Sequence, residues 1–121
     1  MLAGVLITES LRHDATLERL NLRVDKISRW RNPDPAPGQP DTWTIVDFTS
    51  DRSDPMRLAD QFAQALSSPG WYVDFHTEDQ KFIVFPDKTF VYGRGDDRGR
   101  AEAIAYARSV GVPSDQCDWG E

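Results

Sequence analysis

The sequence is short of several residue types: one cysteine, two histidines and three lysines in 121 residues. A lone cysteine, Cys117, cannot form an internal disulfide, and nothing else resembles a secreted framework, so a reducing cytoplasm is the expected compartment. No apolar run approaches the roughly 20 residues that span a bilayer, so the chain is not expected to cross a membrane. The opening MLAGVLITES is apolar but has no basic stretch before it, and is not read as a signal peptide. Arginine outnumbers lysine eleven to three, which reads as a GC-rich coding bias rather than a guanidinium-driven function. The formal net charge of −6 opposes nucleic acid and anionic lipid, and neither is expected as a partner. His13 falls in a predicted loop with no second histidine or cysteine at ligand spacing. His13, His76 and Cys117 are too scattered for a Cys–His dyad. There is no G-x-S-x-G, H-E-x-x-H or Walker sequence. No cofactor and no metal is expected from these motifs.

What is present is enough for one folded domain, residues 1–121, able to bury about two-thirds of its unfolded surface. Hydrophobic residues make up 39% and aromatics 11%, which argues against disorder. Seven of the thirteen aromatics lie between Trp71 and Gly93: Trp71, Tyr72, Phe75, Phe82, Phe85, Phe90 and Tyr92. Two polar breaks, Thr77–Gln80 and Pro86–Lys88, cut this stretch into three runs of aromatic and β-branched residues. That pattern predicts a three-stranded antiparallel meander.

Ahead of it, Val5–Thr8 reads as a short strand and Ser10–Thr16 as a polar connection. Leu17–Trp30 has two readings. Leu17, Leu20, Val24 and Ile27 fall at helical spacing, whereas Leu20, Leu22 and Val24 alternate and the later residues are modest helix formers. A strand with a change of phase near Lys26, suited to a bulge, is favoured, with the helix as the alternative. Asn32–Asp41 holds four prolines and a glycine, so it is a loop, partly extended and open to a partner's aromatic groove or simply a surface excursion. Trp43–Ser50 is a strand. Ser53 or Asp54 should cap a helix begun by Pro55, with Leu58, Phe62, Ala65 and Leu66 as its buried stripe. Asp96 or Asp97 should cap a second helix, running to about Val110 and stopped by Gly111 in the left-handed conformation and by Pro113. Trp119 in the tail is expected to fold back onto the body.

The order is β-β-β-α-β-β-β-α. It predicts an α+β two-layer sandwich: a mainly antiparallel sheet of five to six strands with both helices packed on one face.

Two strands carry the same triplet, Val46-Asp47-Phe48 and Val73-Asp74-Phe75. Alternation puts the valines and phenylalanines toward a helix, and Asp47 and Asp74 on the other face with Trp43, Ile45, Tyr72 and His76. Were the strands parallel neighbours, the two carboxylates would share a patch with an imidazole. Like carboxylates that close raise one another's proton affinity, and with His76 they offer two oxygens and a nitrogen to a divalent ion. A solvated sheet face with polar residues at alternate positions is the plainer reading. Gly93–Gly99 is not a dinucleotide fingerprint: its third glycine is one place late, and Asp96 and Asp97 would oppose a phosphate. The Arg-Gly-Asp inside it reads as a turn and a helix cap.

GWYVDFHTEDQKFIVFP, FVYGRGD, the alanine-rich helix ending ARSVGVP, ITESLR and TWTIVDF together resemble a group of small uncharacterised proteins of high-GC Gram-positive bacteria. The resemblance covers most of the chain. It implies a cytoplasmic single α+β domain and supplies no catalytic residue. The functional expectation is therefore a small cytoplasmic, non-catalytic binding or accessory protein. Its site would be the face bearing Trp43, Asp47, Tyr72, Asp74 and His76, its partner another protein or its own twin. The alternative is a small-molecule or metal-binding protein, or a small enzyme, using Asp47, Asp74 and His76.

Overall fold

A computed structural model describes residues 1–120. The strands are β1 (Leu2–Ile7), β2 (Arg23–Arg31), β3 (Thr42–Ser50), β4 (Val73–His76), β5 (Gln80–Phe85) and β6 (Lys88–Gly93). The helices are α1 (Pro55–Ala65), between β3 and β4, and α2 (Asp97–Ser109), after β6. All six strands join one antiparallel sheet in the order β2-β3-β1-β4-β5-β6. The α+β class, the antiparallel sheet and the order of elements are those expected.

One part of the expectation is corrected: the helices do not share a face. Leu58 and Phe62 of α1 pack with Phe48, Val73, Phe75, Phe82 and Val84. Ala103 and Ala107 of α2 pack with Ile83, Phe85 and Tyr92. Phe82 and Val84 alternate with Ile83 and Phe85 along β5, so the two sets point to opposite sides of the sheet. All four residues are buried, as expected of a strand covered on both faces.

The segment 17–30 resolves in favour of a strand that begins at Arg23. Its register against β3 shifts between Val24 and Lys26, a bulge at Asp25 close to the expected change of phase. Before it, Arg19 and Asn21 have φ of 55°, and Leu17, Leu20 and Leu22 pack from an irregular segment against the α1 side of the core. Asp96 caps α2 as expected, accepting the Arg98 and Gly99 amides, and Gly111 at φ 91° ends it. Asp54 does not act as the expected side-chain cap of α1. Its carboxylate is taken by Arg52, whose Nε and Nη2 donate to it at 2.8 and 2.9 Å. Arg52 Nη1 also donates to the Leu20 carbonyl, which fastens the irregular segment.

β1 lies at the centre. Gly4 faces Phe48 of β3 on one side and Phe75 of β4 on the other. A Cβ at Gly4 would stand 2.4 Å from the Phe75 Cβ and 2.9 Å from Phe48 Cζ. Phe62 of α1 covers this spot, with ring centroids 6.0 Å from Phe48 and 6.3 Å from Phe75. Gly4→Ala is expected to destabilise the fold by about 3 kcal/mol through overpacking between two sheet-paired rings; urea unfolding measures it, and a loss below about 1 kcal/mol refutes the account.

Glu9, in the single 3-10 turn after β1, clips that strand to β3. It accepts the Thr44 amide at 2.6 Å and the Thr44 hydroxyl at 2.9 Å. Burial disfavours its charge, but the bonds from Thr44 and Thr8 outweigh this and hold its carboxyl below the usual range. A depressed carboxylate contributes stability present above its unfolded pKa, about 4.3, and lost as pH falls through the folded value. Wild-type stability is expected to fall more steeply across that acid range than that of Glu9→Gln, which does not titrate there. Parallel stability curves in urea across the pH series would refute this.

Candidate functional site

The face opposite α1 is only half covered. α2 and the segment after it lie over β5 and β6, while β1 and β3 stay open. Between the open half and the C-terminal segment runs a groove of about 490 Å³. Its floor is Val5, Ile7 and Ile45 from β1 and β3.

Each aromatic wall residue is placed by a local rule. Trp30 and Trp43 are directly opposed across β2 and β3, with ring centroids 5.4 Å apart at 77°. Gly70, buried at φ 90°, turns the chain into Trp71, whose ring lies 5.2 Å from Trp43. Tyr72 meets Trp119 of the C-terminal segment edge-on at 5.0 Å. Trp119 is held by donating from Nε1 to the Tyr92 hydroxyl at 3.0 Å. All four tryptophans of the chain thus line one groove. The proline-rich loop braces it: Pro40 accepts the Trp43 Nε1 proton at 2.8 Å, and the Gln39 amide donates to the Gly70 carbonyl at 3.0 Å.

The charged part is a buried pair. Asp74, which lines the groove, accepts from Lys81 Nζ at 3.0 Å, and Lys81 is only 5% exposed. Burial pushes the Asp74 carboxyl above the usual range, against the pull of Lys81. Burial, then the Arg94 and Lys81 cations, pull His76 below its usual value against the effect of Asp74, so the imidazole is neutral at pH 7. Burial, with Asp74 and Asp118 nearby, pushes the Tyr72 phenol well up. Protonated, it donates its one hydrogen to the Gln116 carbonyl at 2.5 Å, with Asp118 Oδ1 sharing it at 3.1 Å.

Of the five residues expected to form the site, Trp43, Tyr72 and Asp74 line the groove. Asp47 and His76 lie with Asp74 around a second, shallower depression that also holds Lys81 and Arg94. β3 and β4 are parallel but not neighbours, because β1 runs between them. Val5 pairs with Asp47 on one side and Asp74 on the other, placing the two aspartates about 10 Å apart, two strand spacings. The two carboxylates are therefore not the adjacent pair expected of parallel neighbours, although both line that depression with His76. Among the described residues, no group of three His, Cys, Asp or Glu side chains is arranged to hold a metal ion.

Sequence reasoning missed Trp30, Trp71, Trp119, Asp115 and Asp118. Extended alternation would put Trp71 with Val73 and Phe75 on the α1 side, but β4 begins only at Val73, and the turn at Gly70 takes Trp71 out of the strand's alternation. Cys117 is buried with Trp119 beside α2. Among the described residues no helix is long and apolar enough to cross a membrane. Compared with protein-family models, curated proteins and solved structures, the chain matches none.

Removing one member of the buried pair strands the other. Lys81→Met is expected to cost about 3 kcal/mol, the low end for breaking a buried pair because Asp74 keeps some contact with water. Adding Asp74→Asn should restore most of the loss. A double-mutant cycle by urea unfolding measures this, and additive losses would refute the pair as the cause.

Proposed function

We propose that this protein is a non-catalytic binding domain whose site is the tryptophan-lined groove on the open half of the sheet. The observation that carries the reading is the convergence of four tryptophans from distant parts of the chain on a single concave surface. Its volume falls within the roughly 300–1,000 Å³ of small-molecule pockets, which favours a ligand that enters over a partner that lies flat. Two of the groove's titratable side chains are already committed: Asp74 is paired with Lys81, and the Tyr72 proton is held by a carbonyl and a carboxylate. Such groups orient and brace a ligand rather than exchange protons with it. A lone, buried cysteine suits work in a reducing cytoplasm.

A fragment screen followed by two-dimensional NMR of the ¹⁵N-labelled protein tests the reading. Hits should perturb the Trp30 and Trp43 indole signals and the Tyr72 amide. Trp30→Ala, at a residue 45% exposed, should weaken them while lowering stability by less than about 1 kcal/mol. Hits that scatter over the surface, or that gather in the depression around Asp47, Lys81 and Arg94, would refute it.

A further inference from the structure

We infer that the groove's ligand is a small organic cation, an ammonium or guanidinium group on a short apolar frame; the inference rests on the groove being a ligand site. Asp74, Asp115 and Asp118 line the groove, whereas no lysine or arginine among the described residues does. Lys81 offsets Asp74 from beneath, so the uncompensated negative charge comes from Asp115 and Asp118, exposed on the C-terminal segment. An anion entering here would meet carboxylates and no counter-charge.

The walls agree with the rim. An aromatic ring presents a negative face, and indole attracts cations most strongly. The Trp30 and Trp43 rings both line the groove, 5.4 Å apart at 77°, and Trp30 is 45% exposed, so its indole is the aromatic surface most open to a cation. The hydrogen-bond donors of Trp43, Trp119 and Tyr72 are used inside the protein, on Pro40, Tyr92 and Gln116. What these side chains turn toward a ligand is π surface, and what the rim offers is acceptors. At about 490 Å³ the space fits a free small molecule better than a folded or extended peptide.

Calorimetry and indole NMR on the full chain test this with three probes: choline, benzyltrimethylammonium, and 3,3-dimethylbutan-1-ol, the neutral isostere of choline. Both cations should shift the Trp30 and Trp43 indole signals, and choline should bind about tenfold more tightly than the alcohol. Asp115→Asn with Asp118→Asn should weaken both cations about fivefold and leave the alcohol unchanged. Equal binding of choline and the alcohol at those indoles overturns the cation inference and leaves the groove reading standing. If no probe shifts those signals, the cation inference falls, and the fragment screen separately decides the groove reading. A trimethyllysine peptide that binds more than about tenfold tighter than benzyltrimethylammonium assigns the site to a protein-borne cation and overturns the small-molecule assignment.

Discussion

The backbone ladder of β1 holds β3 on one edge and β4 on the other, and the absence of a side chain at Gly4 keeps that arrangement flat enough to cover. Phe48 and Phe75 close over the glycine from either side, and Phe62 of α1 settles on both. α1 is therefore positioned by a gap in the sheet surface as much as by its own apolar stripe. The same insertion separates two strands with identical triplets by a full strand. It also sets Val5 and Ile7 into the floor of the groove, so the central ladder defines the buried face and the open one together.

The second dependence is on β5. Buried on both sides, it lets α1 and α2 pack on opposite faces without extending the sheet. Because α2 and the segment after it cover only the β5–β6 half, a step is left where the covered and open halves meet. The groove is that step. Its depth comes from the thickness of a helical layer standing beside a bare sheet, and its chemistry from the aromatic side chains that flank the step.

Element order was legible because alternation, proline and glycine act locally: the bulge near Lys26, the breaks at Thr77 and Pro86, and the Asp96 cap all depend on near neighbours. The division of the helices was misread: both were expected on one face, although the unbroken apolar run Phe82-Ile83-Val84-Phe85 is the pattern of a strand covered on both sides. The groove was less so. Trp43, Tyr72 and Asp74 emerged from alternation along their own strands. Trp30 needed the register of a hairpin with a ten-residue loop and a bulge, and Trp119 needed the path of a segment with no periodicity. The Asp47–Asp74 pairing failed because sequence order does not reveal that the first strand inserts between the third and fourth.

Gathering every indole in one place has a spectroscopic consequence. The tryptophan emission of this protein arises wholly from the step between covered and open sheet, and the phenylalanine core beneath α1 is silent to it. An unfolding curve followed by emission would report whether that step comes apart, and far-ultraviolet circular dichroism whether the helices and sheet do. Where the two transitions part, the groove is a locally opening unit; where they coincide, it is as durable as the fold.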